Sequence, residues 1–417
     1  MYQFIIIALI PLLLVGCGQP STPADNDAPT AAESPEKALQ LRLLNASPGE
    51  VIEIPAGRYD FQRGLSLKVD GVTIRGAGMD QTILSFKGQV AGAEGLLVSA
   101  NDFTIEDLAI EDTKGDALKI NEGKNIIIRR VRTEWTNGPS EHNGAYGIYP
   151  VQTENTLIEE CVAIGASDAG LYVGQSRNVV VRNSRAEFNV AGIEIENTIN
   201  ADVYGNVATN NTGGILVFNL PDLAQRGERT RVFNNRIYEN NTDNFAPEGN
   251  IVGTVPAGAG MMISSNDLVE VFDNEFANNQ TAHILISSYL SAGQGDAREI
   301  LDTFDPYPET IFIHDNRFEG GGEAPDREQL FIVRDAIYGP EGRLPEVVWD
   351  GWVNPENTID GQLKPEYALC IDNGEIGILN IDNGNDNANI STDMAPHACT
   401  HEHLAAVELP ASFSGGE

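Results

Sequence analysis

Apolar and polar residues alternate in short segments along most of the chain, and Gly or Asn separates one segment from the next. The clearest copies begin at Gly170 (GLYVGQSRNVVVRNSRAEFNVA), Gly192 (GIEIENTINADVYGNVATNNTG) and Gly214 (GILVFN), at intervals of 22 residues. Alternation with a period of two is typical of strands, and the apolar positions are mostly β-branched. A repeat of this length made of short strands predicts a parallel β-helix.

Weaker copies extend the repeat in both directions, and they begin at Gly95, Asp116, Gly147, Gly260 and His283. We therefore expect an all-β chain with a single right-handed parallel β-helix of about ten coils over residues 38–338. Residues 339–417 carry no clear repeat, and we expect them to form a small cap that covers the open end of the last coil.

A column of asparagines supports this repeat. Asn183, Asn206, Asn235, Asn274 and Asn316 follow equivalent strands. Stacked coils lie ~4.8 Å apart, so these amides are expected to form a hydrogen-bonded ladder. Asn also tolerates the left-handed backbone conformation of a turn, and we expect the glycines that begin each copy to serve the same purpose at another corner.

The first residues have the pattern of an export signal. Residues 1–16 contain an apolar run that is too short to span a bilayer, and Leu14-Val15-Gly16-Cys17 resembles a bacterial lipobox. We expect a lipoprotein signal peptide over 1–16, lipidation of Cys17 and a disordered tether over 17–37, which is rich in Pro, Ala, Ser and Asp. Gly18 after the cysteine favours the outer membrane, facing the periplasm or the cell surface. The alternative is an ordinary buried apolar helix.

The net charge of −35 argues against nucleic acid and anionic lipid surfaces as partners, so membrane contact is expected through the lipid anchor only. A solvated acidic surface explains this charge without a specific acidic function. Among the remaining cysteines, Cys161 alternates with inward apolar residues and is expected to be a buried free thiol. Cys370 and Cys399 are then left as a pair, which predicts a disulfide in an exported protein.

Two stretches resemble known β-helix families. GEVIEIPAGRYDF and LSLKVDGVTIRGAG resemble the N-terminal coils of the pectate-lyase-like superfamily. The stretch Asn143–Asn219, followed by NFAPEG and VPAGAG, resembles a family of exported parallel β-helix proteins. That resemblance implies the fold and export. It implies no activity, but it suggests another exported envelope protein as a partner.

The strands that begin with Gly are expected to form the floor of a trough between two walls of inserted loops. Alternation places Tyr149, Tyr172 and Phe218 on its outward face, and flat aromatic rings suit stacking on sugars. Glu194 and Glu196 project on the same side, ~6.5–7 Å apart along the strand, within the range of an acid/base pair of carboxylates. The alternative is that these are ordinary side chains on the face of a sheet.

In alginate C5-epimerases the corresponding motif is Tyr-Gly-(apolar)-Asp-Pro-His, and its Asp and His carry the proton chemistry. Here YGIYPV keeps Tyr146, Gly147, Ile148 and Pro150, but Tyr149 and Val151 replace the two reactive groups. Valine cannot transfer a proton. If the chain is an enzyme, we therefore expect a polysaccharide lyase or a glycosidase rather than a C5-epimerase.

A lyase or a glycosidase needs groups that transfer protons and groups that neutralise charge on the ligand, and these needs select the candidate site residues. The candidate catalytic residues are Glu194, Glu196, Tyr172, Lys119 and, in a loop wall, His142. The candidate ligand-binding residues are Tyr149, Tyr172, Phe218, Asn197, Arg226 and Arg298. Surface arginines and stacked tyrosines without a catalytic role are the alternative.

A histidine cluster near the C-terminus is a separate candidate. His397, His401 and His403 surround Cys399, a spacing that resembles metal ligands, although a disulfide would remove the thiolate. The stretch 382–389 (DNGNDNAN) is rich in oxygen ligands but lacks the Glu and the spacing of a calcium-binding EF-hand, so we expect a turn. No cofactor is indicated, and Ca²⁺ has no specific motif to support it.

Three functions fit these observations. The first is a cell-envelope lipoprotein whose trough binds, and cleaves or modifies, a polysaccharide. The second is a scaffold without enzymatic activity that docks another exported protein. The third, based on the histidines alone, is a metal-handling periplasmic protein.

Overall fold

The computed structural model describes residues 34–292, 297–360 and 362–414. In these residues 28 strands form one continuous sheet, and two further strands form an antiparallel hairpin. The strands are β1 Val51–Glu53, β2 Gly57–Asp60, β3 Arg63–Leu67, β4 Thr73–Arg75, β5 Thr82–Ser85, β6 Ala91–Val98, β7 Thr104–Glu111, β8 Leu118–Glu134, β9 Tyr146–Glu159, β10 Val162–Ile164, β11 Ala169–Gly174, β12 Arg177–Arg182, β13 Arg185–Glu187, β14 Ala191–Glu196, β15 Ile199–Tyr204, β16 Val207–Thr209, β17 Gly213–Phe218, β18 Glu228–Phe233, β19 Arg236–Tyr238, β20 Ala259–Ser264, β21 Asp267–Phe272, β22 Glu275–Ala277, β23 Ala282–Ser287, β24 Ile311–His314, β25 Arg317–Glu319, β26 Val347–Trp349, β27 Thr358–Ile359, β28 Gln362–Leu363, β29 Leu369–Asp372 and β30 Ile378–Asn380. The helices are α1 Pro35–Leu44, α2 Ala297–Thr303 and α3 Glu328–Tyr338.

The strands stack in parallel as three ladders, which we call sheets 1, 2 and 3. Sheet 1 contains β3, β6, the first parts of β8 and β9, then β11, β14, β17, β20, β23, β26 and β30. Sheet 2 contains β1, β4, the first part of β7, the middle of β8, the second part of β9, then β12, β15, β18, β21, β24 and β29. Sheet 3 contains β2, β5, the ends of β7 and β8, then β10, β13, β16, β19, β22 and β25. The prediction of a parallel β-helix is confirmed.

The register follows the repeat that the sequence shows. Leu171 pairs with Ile193, and Ile193 pairs with Ile215, so these two steps along sheet 1 are 22 residues each. These side chains are fully buried and belong to one continuous apolar core. At one end, Leu39 and Leu43 of α1 close this core, and α1 therefore begins within the segment predicted as a tether. Strands β26, β29 and β30 continue the ladders beyond residue 338, the predicted end of the coils.

The predicted asparagine ladder is present, with one residue corrected. The side-chain amides of Asn206, Asn235, Asn274 and Asn316 each donate to the next oxygen in the column at 2.9–3.1 Å, and Asn373 ends it. Asn183 is not a member. It has a left-handed backbone (φ 51°), and its neighbour Ser184 occupies the place before Asn206.

A second ladder, which the sequence analysis missed, explains the repeated glycines. The amides of Asn189, Asn211, Asn240 and Asn279 form a parallel buried column with bonds of 3.0–3.1 Å. The first glycines of the repeats pack against these amides, and none of Gly170, Gly192, Gly214 and Gly260 has a positive φ. The left-handed turn expected of them is therefore wrong, and close packing against Asn is the physical reason for Gly.

The C-terminal region is tied to the last coils by the predicted disulfide between Cys370 and Cys399. A bond that closes a loop of 29 residues is worth ~3–4 kcal/mol in the chain-entropy model. Residues 400–413, which we call the strap, then run back across the outer face of sheet 2 without regular structure until a short 3₁₀ turn. Cys161 is a buried free thiol, as predicted, and burial raises its pKa to about 12. No helix within the described ranges is long and apolar enough to cross a membrane.

Replacing Gly192 with alanine is expected to destabilise the stack by ~1–3 kcal/mol, because overpacking of a close contact forces the backbone to move. A Cβ at this position would lie 2.6 Å from the carbonyl oxygen of Gly214 and 2.7 Å from the amide nitrogen of Asn211. Gly88→Ala is the control, since its Cβ would meet nothing within 4 Å. Denaturant unfolding measures both variants, and equal stabilities would contradict the packing role of the glycine.

Candidate functional site

The outer face of sheet 1 carries a continuous column of side chains, and its first half is accessible to solvent. Ser66 pairs with Leu97, Leu97 with Lys119, and Lys119 with Tyr149. All four are partly exposed. In the next coil the ring of Tyr172 lies 4.8 Å from that of Tyr149 in an edge-to-face contact. The open floor that the sequence predicts therefore exists up to Tyr149.

The second half of this face is covered, which corrects the expectation of an open trough. Tyr172 and Phe218 are each only 3% exposed, and they share an apolar cluster with side chains of two covering segments. The first segment contributes Phe245, Ala246, Val252 and Val255, and the second, which includes α3, contributes Leu330, Val333, Tyr338 and Leu344. The insertion at 242–259 is one of the inserted loops, which were expected to form walls beside the floor, but its apolar residues pack on the floor. Phe218 still lines a cleft of about 360 Å³ with Met262 and Tyr289.

At the boundary between the open and covered halves lies a group of tyrosines and acids. We call Asp168, Glu194 and Glu196 the carboxyl cluster; all three are at least nine-tenths buried. The hydroxyl of Tyr172 donates to Oε1 of Glu196 at 2.5 Å. Oε2 of Glu194 is buried without a hydrogen-bond partner. The predicted pair of glutamates is therefore on the outward face, but both side chains are buried.

Burial controls the protonation of this group. It raises the pKa of Asp168 to about 7, and the charge of Glu196 adds to the shift. Burial and the charge of Asp168 raise the pKa of Glu194 well above its usual value, and burial raises that of Glu196 against the opposing hydrogen bond from Tyr172. Carboxyls that hold their protons near neutral pH can act as general acids or exchange protons with a substrate.

Lys119 and Tyr149 are partly exposed residues beside this group. The ammonium of Lys119 lies 4.6 Å from the centre of the Tyr149 ring and 3.5 Å from a carboxylate oxygen of Asp116. Burial, followed by the charge of Asp116, raises the pKa of Tyr149 to about 12, so its phenol stays protonated at neutral pH. Tyr146 packs against both neighbours, with ring centres 4.4 Å from Tyr149 and 4.6 Å from Tyr172.

Other predicted site residues lie elsewhere. The side chain of His142 is 86% exposed and lies 3.9 Å from Glu141, so it is not part of the cluster. Asn197 is buried and donates its amide to the backbone oxygens of Leu220 and Gln225, which is a structural role. The guanidinium of Arg226 is held by Asp267 and Asp305 and is not free to neutralise a ligand.

The side chain of Arg298 lies outside the described residues, and so do Cys17 and the rest of residues 1–33. The stretch 382–389 is a turn, as predicted, in which the carboxylate of Asp382 accepts bonds from Asn385 and Asn389.

The three C-terminal histidines do not form the predicted cluster. Nδ1 of His397 bonds the carbonyl of Leu369, and Nε2 of His401 bonds that of Ala368. Only His403 reaches other candidate ligands, in a group with Glu270 and His314. In a second acidic group, Asp267, Asp305 and Glu309, the guanidinium of Arg226 already pairs with Asp267 and Asp305.

Sequence reasoning missed Asp168, Asp116 and Tyr146. Asp168 lies at the corner just before β11, outside the alternation that assigns strand residues to a face. Tyr146 was treated as part of the strand motif, although its ring packs beside the other two tyrosines. The signal for Asp168 in the sequence is an acid at a corner that precedes outward-facing acids.

The stability of the fold is expected to fall as the pH rises from about 4 to about 7. An unfolded Asp titrates near 3.9, whereas Asp168 and Asp350 keep their protons until a pKa of about 7 because they are buried. In this window the folded state holds more protons than the unfolded state, so a rise in pH favours unfolding. Asp168→Asn should reduce the fall, and Asp80→Asn, whose side chain is 86% exposed, is the control. Thermal melts across pH 4–8 measure this loss of stability. If the melting temperature of Asp168→Asn falls with pH as steeply as that of the wild type, the prediction is contradicted.

Known proteins resemble the chain in fold. A sequence profile described as the right-handed β-helix region matches residues 66–222. The A-module of the Azotobacter vinelandii mannuronan C-5 epimerase AlgE4 superposes with a TM-score of 0.54 at 18% identity, over 81% of this chain and 89% of that one. For the A-module of AlgE6 from the same organism the TM-score is 0.47 at 16% identity, over 75% and 84% of the two chains. An alginate lyase from Paenibacillus sp. str. FPU-7 gives 0.32 at 14% identity, over 68% and 93%. No curated protein matches by sequence. The profile and the AlgE4 module agree with the ladders described above: the chain is a right-handed parallel β-helix.

Proposed function

We propose that the open half of the sheet 1 face binds a neutral or weakly acidic polysaccharide, and that the carboxyl cluster transfers protons to or from it. The observation that carries this proposal is the position of Tyr149. Its ring is partly exposed, it ends the open column, and it contacts Tyr172, which is hydrogen-bonded to Glu196. A ligand stacked on Tyr149 would therefore lie next to the tyrosine that is hydrogen-bonded to the buried Glu196.

The shape of the open face suits a linear polymer. Ser66, Leu97, Lys119 and Tyr149 lie on four successive coils, so the column extends about 14 Å along the axis at ~4.8 Å per coil. Tyr149 offers a ring for stacking on a sugar, and Lys119 offers a donor. The net charge of −35 disfavours a highly anionic polymer. The AlgE4 module is named for an activity on mannuronan, a polyuronate, so uronate polymers are tested as ligands beside neutral ones.

The chemistry that this arrangement supports is acid–base catalysis. Tyr149 keeps its proton at neutral pH and is placed to donate it to an oxygen of the ligand, while Asp168 titrates near pH 7 and Glu196 is bonded to Tyr172. Elimination or hydrolysis of a glycosidic bond needs such a pair of acid and base. Val151 stands where the epimerase motif has its His, which favours cleavage over epimerisation.

Support for export comes from the sequence alone. We propose that Cys17 carries a lipid anchor, because Leu14–Cys17 matches the lipobox pattern. Mass spectrometry of the mature protein should find diacylglycerol on Cys17, and Cys17→Ser should leave the precursor uncleaved. A mature N-terminus at another residue, without lipid, would contradict this.

The binding proposal is tested with Tyr149 and Lys119. Tyr149→Ala should weaken polysaccharide binding by about fivefold or more, because a stacking face is worth ~1 kcal/mol. Tyr149→Phe keeps the ring, so it should retain most of the binding but lose turnover if the phenol donates a proton. Arg177→Ala, an exposed residue of sheet 2, is the control.

Glycan arrays that include neutral and uronate polymers, followed by affinity measurement and product analysis, give the readout. If no polymer binds, or if Tyr149→Ala and Lys119→Ala bind like the wild type, the open face is not the binding site. If binding depends on Tyr149 and Glu196→Gln changes nothing in the products, the protein binds polysaccharide without acting on it.

A further inference from the structure

A second constellation lies on the outer face of sheet 2, away from the carboxyl cluster. Glu270 on β21 and His314 at the end of β24 are buried, and His403 reaches them from the strap. Nδ1 of His403 is 2.6 Å and Nε2 of His314 is 3.1 Å from the same oxygen, Oε1 of Glu270. The three ligand atoms lie within 4.8 Å of one another. We propose that these residues bind a Zn²⁺ ion that fastens the strap to sheet 2.

The contact that the second ring nitrogen of His314 makes with Asp315 favours a metal site. Nδ1 lies 2.7 Å from a carboxylate oxygen of Asp315. Histidines that bind metals usually donate the other N–H to a carboxylate, which fixes the tautomer and turns the free lone pair towards the ion. When Nδ1 of His314 donates to Asp315, the lone pair of Nε2 faces an oxygen of Glu270. The lone pair and the carboxylate oxygen repel each other, and a cation between the two atoms removes this repulsion.

The imidazole of His314 is also held rigidly. Its ring stacks on Phe272 with an interplanar angle of 1° and a centroid distance of 5.1 Å, at the end of a stack that includes Phe233 and Tyr204. Oε2 of Glu270 accepts the backbone N–H of Leu404 at 2.9 Å, which leaves Oε1 for the ion. Two of the three ligands are therefore oriented before any metal binds.

The ligand set favours zinc. Two imidazoles and one carboxylate suit Zn²⁺, whereas Ca²⁺ and Mg²⁺ prefer oxygen ligands. Zinc bonds of about 2.0–2.2 Å require the ligand atoms to move slightly apart. His403 permits this, because its side chain is 72% exposed and sits on the irregular strap. Its exposure also leaves room for a water molecule as the fourth ligand.

The guanidinium of the neighbouring Arg231 does not fill the proposed site. Arg231 pairs with Glu270 in the register, but its guanidinium faces Asp202 at 3.3 Å and donates to the backbone oxygen of Leu404. The other acidic group differs in this respect, since Arg226 lies among its carboxylates.

The proposed ion would fix the position of the whole strap. The next contacts along the strap are the backbone N–H of Val407, which donates to Asp202 at 3.1 Å, and the ring of Phe413, which packs with Leu157 and Val180. Val407 and Phe413 also form one side of a cleft of about 580 Å³ on sheet 2. Loss of the ion would therefore loosen one wall of this cleft, while the disulfide keeps the start of the strap in place.

The test uses the full, untagged chain with its disulfide intact, first treated with a chelator and then titrated with Zn²⁺. Calorimetry and elemental analysis should give one saturable Zn²⁺ per chain. His403→Ala and His314→Ala should abolish saturation or weaken it by at least a hundredfold, and Asp315→Ala should weaken it about 10–100-fold. His142→Ala, an exposed histidine outside the group, should bind like the wild type.

Two further measurements distinguish the loss of the zinc site from a general loss of folding. Zn²⁺ should raise the melting temperature and slow proteolysis of the strap in the wild type but not in His403→Ala, which changes an exposed side chain and should preserve the fold. Circular dichroism checks the folding of every variant. Absence of saturable binding, or unchanged Zn²⁺ affinity in folded His403→Ala and His314→Ala, would overturn the proposal.

Discussion

The interaction on which this fold depends is the stacking of buried asparagine amides from coil to coil. At Asn211, the amide nitrogen donates to the backbone oxygen of Ala186 and to Oδ1 of Asn240, while its own oxygen accepts the backbone and side-chain N–H groups of Asn189. Strand ladders cannot satisfy the backbone at a corner, and a buried group without a partner costs about 1–3 kcal/mol. The amides supply these partners and also require every coil to be in register, because a shift of one residue would break the column.

This requirement explains why the interior is regular while the outer faces differ. The inward side chains and the corners are fixed by stacking, so the variation lies in what covers each sheet. Sheet 1 is open up to Tyr149 and is then covered by the insertion at 242–259 and by α3. Sheet 2 is crossed by the strap, whose backbone bonds to acids on the sheet. The repeat therefore builds a scaffold, and the added segments define its two candidate sites.

The features that repeat were predictable from the sequence, and those made by single contacts were not. Period and alternation gave the strands, the register of sheet 1 and the outward direction of Glu194 and Tyr149. Alternation assigns a side chain to a face, but it does not tell whether a distant insertion packs on that face, and so Phe218 was expected to be exposed. The predicted ladder position at Asn183 was wrong by one residue, because the residue with the left-handed backbone and the ladder residue are adjacent in the sequence. Glu270, His314 and His403 are brought together only by the path of the strap, since 133 residues separate the first from the last.

Buried carboxylates in this protein differ in whether an arginine compensates for their burial. On sheet 2, Glu159 accepts hydrogen bonds from Arg182 and Arg129, which bring its pKa below the usual value despite burial. On sheet 1, Asp168, Glu194 and Glu196 form no ion pair with Lys or Arg in the described part of the chain, and burial raises the pKa of each. Acids that are buried without a cation lower the stability of a protein at neutral pH. Unpaired acids beside a partly exposed tyrosine are the arrangement that the proposed proton transfer requires.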